Sequence, residues 1–477
     1  MNRSVRWSFV IVTCAALCSA ATAATVVVKP GTATPTIQAG VNAAAPGDTV
    51  LVRAGVYAES VVVPPGKPLT LKAKGRVVVE GRGPGGVPLG PGFALFDGGS
   101  SIRGFVFRNQ ATAGLGLPGV GVLFTVGGAA PISLVEKCRF ERGEIGGITV
   151  DTATVTVRKC VFVDIADGTA IQISGQNARV ERCQVFGSRG IDVFGPGARV
   201  VGNVLKNVVA KSAIYVSSPG AVVEKNFIVG CEGNGIDIGG DDTIVRKNRV
   251  EECLGSGIYH FTGENVLIER NLVIGATEVG IGATGTQLTL RKNVVKRMHR
   301  QPQCPSMETL TLSAAGLRAN GTTVVLDRNI VEDCATVGIW ASGAYVSVLR
   351  NRTTRCGYEG DAGIYVEGRD GDVLSNVVAQ QRGDGFYLAI AGTNVLSNRA
   401  ASCTRDGFDV NSSGYVLEKN AATNCGAEGF DLAATDLVFR KNKAKGNRLD
   451  IASTFAIATF ESNSYGTGGP GALPELE

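Results

Sequence analysis

Beyond its first two dozen residues this chain has no apolar run long enough to cross a bilayer, which needs about 20 residues, so no membrane insertion is expected of the remainder. Helical periodicity is missing too, apart from one short stretch near the start, because Gly (65 of 477 residues) and Asn recur throughout. Histidine is nearly absent: His260 and His299 are the only two. No CxxC or His-rich spacing accompanies the twelve cysteines, which removes zinc-centre and thioredoxin-type readings. The formal charge of +5 is small and scattered, which excludes a nucleic-acid partner and leaves at most a mild preference for acidic polymers.

What is present is repetition. From Cys138 to Asn463 one phrase returns about every 22 residues: apolar-x-x-Asn, apolar residues, often a Cys, then Gly-Ile or Gly-Phe. Anchors fall at Cys138, Cys160, Cys183, Asn203, Asn226, Asn248, Asn271, Asn293, Asn329, Asn351, Asn376, Asn398, Asn420, Asn442 and Asn463. Steps are 20 to 25 residues except for 36 between Asn293 and Asn329. The interval from the Ile or Phe to the next anchor is 12 residues in every coil but the one from Ile258 to Asn271. A period of this size means stacked supersecondary units, and short apolar/polar alternation within each means strands with one face inward. The expectation is an all-β solenoid of three short strands per coil, with the Asn anchors forming an inward ladder.

The N-terminus reads as an export signal over 1–23: Arg3 and Arg6, the apolar Phe9–Leu17, then Ala21-Thr22-Ala23 as a small-residue cleavage site. Residues 24–64 read as a cap and first coil, with a helix over 36–45 capped by Thr36 and strands at 49–52 and 61–63. Less regular coils are expected over 65–137, regular coils over 138–465 with an insertion at 296–316, and a loose tail over 466–477. The expected location is secreted or periplasmic.

Removal of the signal leaves ten cysteines, six of them in adjacent-coil pairs: Cys231 with Cys253, Cys334 with Cys356, Cys403 with Cys425. Rungs stack at roughly 4.8 Å, inside the reach of a disulfide. Parallel side-chain vectors favour a buried thiol stack over bridges, with bridging as the alternative in an oxidising compartment.

The phrases NFIVGCEGNGIDI (226–238), NRVEECLGSGIYH (248–260) and NAATNCGAEGFDL (420–432) resemble right-handed parallel β-helix repeats of the pectate-lyase-like superfamily, which includes the NosD-type and carbohydrate-binding or hydrolase repeats. TIQAGVNAAAPGDTVLVRAGVYAESV (36–61) resembles the N-terminal cap of the same group. The resemblance covers nearly all of the chain after the signal and implies fold rather than activity. Asp241-Asp242 invites comparison with the paired Asp of polygalacturonases, but that family's Asn-Thr-Asp, Gly-His-Gly and Arg-Ile-Lys are missing, so the pair reads as a turn. The Asp-Pro-His-Asp signature of alginate epimerases is missing as well.

The residue after each Gly-Ile/Phe pair should point outward, forming a column: Thr149, Gln172, Asp192, Tyr215, Asp237, Tyr259, Gly282, Arg318, Trp340, Tyr365, Tyr387, Asp409, Asp431. Five of the ten Tyr and Trp residues that follow the signal stand in it. Rings one coil apart make a platform for sugar rings, with carboxylates and an Arg to bond hydroxyls or uronate groups. Tyr215, Tyr259, Trp340, Tyr365, Tyr387 and Asp192 are the substrate-binding candidates. The catalytic candidates are Arg318, Asp237, Asp409 and Asp431.

Asp409 and Asp431, one coil apart at roughly 5 Å, suit a retaining glycosidase pair or Ca²⁺ chelation. Asp192 and Asp237, two coils apart at roughly 9–10 Å, touch the wide edge of the inverting range. Arg318, beside small Gly282, would neutralise a uronate and ease proton removal at C5. The insertion carries Lys296, Arg297, His299, Arg300 and Cys304 and would form a basic wall beside it. His260 should point inward opposite Ala283, Ala319 and Ala341.

The leading expectation is a protein that binds, and modifies by lyase or epimerase chemistry, an extended uronate-containing polysaccharide. The alternative is a non-catalytic periplasmic or surface scaffold or adhesin of NosD-like type. No cofactor is evident beyond Ca²⁺.

Overall fold

The structure, a computed structural model, describes residues 23–96, 98–113, 118–125, 131–299, 315–357 and 361–467. The expected export signal up to Thr22, the inserted residues Arg300 and Cys304, and the tail from 468 lie outside the described residues.

Every strand pairs in parallel with its counterpart one coil on, giving a solenoid of about 19 turns with coils of about 22 residues. One coil illustrates the pattern: Val222–Glu224, Phe227–Cys231 and Asn234–Gly239 pair with Ile244–Arg246, Arg249–Cys253 and Ile258–His260. Alternation sends Val223, Val245, Ile268 and Leu290 inward, all fully buried, and their polar neighbours outward. Near the start, Thr36 caps a helix over Ile37–Ala43, its Oγ1 accepting from the Ala39 amide at 3.1 Å. That helix covers the first coil, where Thr25–Val28 pairs with Thr49–Val52.

The Asn anchors explain how the chain tolerates its sharpest turn. The residue just before most of them is left-handed, as at Lys225 (φ 57°), Lys247 (56°), Ser397 (59°) and Lys441 (56°), a conformation that costs about 1–2 kcal/mol for a residue with a Cβ. The following Asn offsets it through three hydrogen bonds. Asn226 Nδ2 donates to Asn248 Oδ1 at 3.0 Å and to the Val200 carbonyl at 2.9 Å, and its backbone amide donates to Asn248 Oδ1 at 2.9 Å. The ladder runs unbroken from Asn203 to Asn463, including Asn293 to Asn329 at 3.0 Å across the long coil. In the earlier coils Cys138, Cys160 and Cys183 take the anchor position as buried thiols that bond backbone carbonyls.

The expectation of thiols at all three cysteine pairs holds for two. Cys334, Cys356, Cys403 and Cys425 are buried thiols, whereas Cys231 and Cys253, direct rung partners with Cα atoms 4.6 Å apart, are joined as a disulfide. Direct register opposition puts the two sulfurs within bonding reach, which the argument from parallel vectors had discounted.

Candidate functional site

Thirteen residues, from Thr149 to Asp431, form one continuous register line on the outer face. Each is the rung partner of the next: Asp192 with Tyr215, Tyr215 with Asp237, Tyr259 with Gly282, Gly282 with Arg318, Trp340 with Tyr365, Asp409 with Asp431. They are less exposed than an outward column suggests. Most are half-buried, since each large side chain leans on its neighbour, and Asp237 is 6% exposed.

The C-terminal part of the line opens into a groove of about 280 Å³. Its floor is aromatic: Tyr365 and Tyr387 stack at 4.7 Å with planes 10° apart, and Trp340 meets Tyr365 edge-on at 5.7 Å. Glu367, two residues beyond Tyr365 on the same face, fixes both heads by accepting from Trp340 Nε1 at 3.2 Å and from the Tyr365 hydroxyl at 3.4 Å. Burial, reinforced by the Glu367 charge, pushes the Tyr365 hydroxyl up to about 12, so it stays a donor across the physiological range. Arg318 lies over the Trp340 ring, its guanidinium carbon 4.7 Å from the centroid, so its cation is already engaged with an aromatic face.

The groove's wall is acidic, with Asp361, Asp384 and Asp409 beside Arg405, and sequence reasoning missed Asp361 and Asp384, the second of which begins a buried acidic row that continues past the groove. The residue immediately before each Gly-Ile/Phe pair forms a second line beside the first, reading Asp384, Asp406, Glu428 in the last coils. Asp384 is 2% exposed. Its Oδ1 accepts the Asp406 amide at 3.0 Å, and Arg405 stands 3.5 Å away. Asp406 in turn accepts the Glu428 amide at 2.7 Å. Burial, then contact with Glu428, drives the Asp406 carboxyl well up. Burial also works to raise Glu428, but contact with Asp406 and the Arg448 cation outweigh it and hold the group down. Burial and the nearby Asp384 charge lift Asp409 to about 6, against the opposing hydrogen bond from Asn411. Asp431, the rung partner of Asp409, is raised by burial and by Glu428. The signal in the sequence was the series Asp-Gly-Phe, Asp-Gly-Phe, Glu-Gly-Phe at 384–386, 406–408 and 428–430.

The N-terminal part of the line is built differently. There the second line supplies hydroxyls and an amide. Thr169 Oγ1 donates to Asp192 at 3.0 Å, while Ser212 Oγ and Asn234 Nδ2 (2.8 Å) close on the two oxygens of Asp237. Burial raises both carboxyls, and these bonds oppose it. Asp237, expected as an outward catalytic group, is instead enclosed with both oxygens satisfied. Tyr215 stands between Phe194 at 5.7 Å and Phe261 at 6.1 Å, and Tyr259 folds across Gly282.

Other expectations resolve by position. Lys296 and Arg297 lie on the strand Val294–Met298, not on a loop, and face Glu332 (2.8 Å) and Glu252 (3.9 Å), so they supply no basic wall beside Arg318. His260 is fully buried beside Ala283, with Nδ1 3.1 Å from the Thr284 carbonyl, and burial lowers its pKa. Asp241 and Asp242 accept from the next turn, from the Glu264 amide and Asn265 Nδ2. Among the described residues no three His, Cys, Asp or Glu side chains are grouped to hold a metal ion. No helix among the described residues is long and apolar enough to cross a membrane.

The family described as "Right handed beta helix region" matches residues 90–205, 189–353 and 315–467. Solved structures similar to this chain include the Dettilon tailspike protein gp208, at 13% identity over 65% of this chain and 62% of that one, with a TM-score of 0.35. The alginate lyase from Paenibacillus sp. str. FPU-7 matches at 14% identity over 62% of this chain and 98% of that one, TM-score 0.36. The A-module of the Azotobacter vinelandii mannuronan C-5 epimerase AlgE4 matches at 12% identity over 91% and 95%, TM-score 0.25. The chain thus spans less than two thirds of the tailspike's length. No curated protein sequence matches it.

Proposed function

We propose that this chain, which belongs to the right-handed β-helix family, binds an extended polysaccharide along its outer stripe, with Trp340, Tyr365 and Tyr387 as the sugar-stacking floor. The observation that carries this reading is the groove itself, where stacked rings held by Glu367 lie beside Asp384, Asp409 and Arg405. Apolar ring faces flanked by carboxylates match the apolar faces and hydroxyl edges of a pyranose chain. Its polarity also refines the expected ligand. A polyuronate crossing Asp384, Asp409 and Asp431 would meet like charge, so the sugar units there are uncharged, and an acidic unit would sit nearer Arg318. The Cys231–Cys253 disulfide fits an oxidising compartment outside the cytoplasm.

For chemistry, the groove favours hydrolysis over elimination or epimerisation. Asp409, at about 6, titrates just below neutrality and is suited to protonate a leaving oxygen. In this reading Asp431, on the next rung at roughly 4.8 Å, serves as the retaining nucleophile. Elimination at a uronate needs a cation over its carboxylate, and the cation lining the groove, Arg405, faces Asp384 at 3.5 Å instead.

Affinity electrophoresis in gels containing neutral glucans, pectin, alginate or glycosaminoglycans tests the binding. Retardation by at least one polymer, lost in Trp340→Ala with Tyr365→Ala, is the expected result; equal mobility in every gel overturns it. On the retarding polymer, new reducing ends support hydrolysis, an unsaturated ultraviolet-absorbing product supports a lyase, and neither product supports the scaffold or adhesin reading.

A further inference from the structure

The three rings at the other end of the stripe have no part in the groove. Phe194, Tyr215 and Phe261 form a cluster on the same outer face. Phe194 is 40% exposed, and Tyr215 and Phe261 lie parallel to within 11°. Phe261 stands two residues past Tyr259, as Phe194 does past Asp192 and Glu367 past Tyr365, so all three flank the column on one side. The arrangement depends on Gly239, where a Cβ would come within 2.4 Å of the Phe261 ring. With glycine there, Phe261 lies flat over the rung below and faces Tyr215 two rungs away.

The cluster offers ring faces, and the cations that act on the carboxylates beside it are Arg189 and Lys211. The two column carboxylates beside it, Asp192 and Asp237, are tied to Thr169, Ser212 and Asn234. A site of this composition holds a ligand by stacking and has no acid poised to act on it. Between it and the groove the stripe is continuous: Tyr259 lies across Gly282, and Arg318 lies across Trp340.

We infer that Phe194, Tyr215 and Phe261 form a second, non-catalytic sugar-stacking station on the same polysaccharide track, which makes this a protein for long chains rather than short oligosaccharides. The inference rests on the binding function proposed for the groove. Tyr215 and Trp340 are five rungs apart in register, which at the spacing of parallel strands is roughly 24 Å. A pyranose unit advances an extended chain by roughly one rung, so about six to eight units reach from one station to the other. A ligand long enough to occupy both gains affinity because the second contact is intramolecular.

The test is titration calorimetry with size-graded cello-oligosaccharides and oligoalginates of about two to ten units, using the wild-type protein and the double variant Phe194→Ser with Phe261→Ser. The expected result is weak affinity for short members, then a rise of about tenfold or more once the length reaches about six to eight units. In the double variant that rise disappears while affinity for short members stays unchanged. Two results overturn the inference and leave the groove reading intact: affinity that grows smoothly with length and shows no step, or a step that survives in the double variant. Gly239→Val displaces the Phe261 ring without removing it and should reproduce the loss. Absence of binding to every member of both series overturns this inference, while the groove reading stands or falls by the polymer gels.

Discussion

Asp237 and Asp409 occupy the same position on the same stripe, seven rungs apart, with the same kind of buried core residue before each, yet they are chemically opposite. Asp237 is closed in by Ser212 and Asn234; Asp409 faces Asp384 and Asp431 and keeps its proton to about pH 6. The residue that differs is the one two before the buried Ile or Phe in the neighbouring coil, Ser212 beside Asp237 and Asp384 beside Asp409. In a parallel solenoid a side chain's environment is set by the coil next door as much as by its own. Reactivity along a uniform scaffold therefore changes from rung to rung without a change of fold.

The contrast can be broken most directly at the rings. Replacing Trp340 and Tyr365 together by Ala removes the floor of the C-terminal groove. At about 1.4 kcal/mol for each ring, polymer affinity should fall about 100-fold with the far-ultraviolet circular dichroism unchanged. Next in size is Asp237→Ala, which strands the Ser212 hydroxyl and the Asn234 amide. It should cost about 1–3 kcal/mol in urea unfolding and leave polymer turnover at the wild-type rate.

Asp409→Asn should behave in the reverse sense, removing turnover and flattening the pH dependence of stability. The sign follows from the raised carboxyl. Between about pH 4, where an unfolded Asp ionises, and about pH 6, the native state holds a proton that the unfolded chain has released. Stability is therefore highest below that window and declines as pH rises through it. Solvent screening reduces the effect to about 1 kcal/mol. Thermal melts at pH 4, 5, 6 and 7 should show a shallower decline for Asp409→Asn than for the wild type; parallel profiles would mean that Asp409 ionises normally. The smallest effect belongs to Arg318→Ala, which removes a cation from the Trp340 face and should weaken polymer binding by about two- to fivefold.

Much of this was written openly in the sequence. An interval of 12 residues to the next anchor, kept in every coil but the one from Ile258 to Asn271, fixes the register, and register alone aligns the column from Thr149 to Asp431. The coil length, the Asn ladder and the cap helix follow from periodicity and turn chemistry in the same way. The second line of side chains was not legible, although its letters were. Asp384 and Asp406 precede glycines, where the chain bends, and strand alternation gives no rule for where such a residue points. The depth of the rings was missed for a related reason: alternation says outward, while Tyr259, Arg318 and Phe261 each lie down on a neighbour. Cys231 and Cys253 both lie within paired strands, whereas Cys356, Cys403 and Cys425 fall just past the ends of theirs, a difference in strand length that the spacing of the cysteines does not encode.

The hydrogen bond from Asn293 to Asn329 has the same 3.0 Å length as that from Asn248 to Asn271, although the first spans 36 residues and the second 23. The spine is therefore indifferent to how much chain leaves and returns between two of its members. Extra sequence can be spliced in at a turn, or trimmed from one, and the coils on either side keep their stacking. A molecule so made can acquire new surface one insertion at a time, as a bookshelf takes a thicker volume without any change to its uprights.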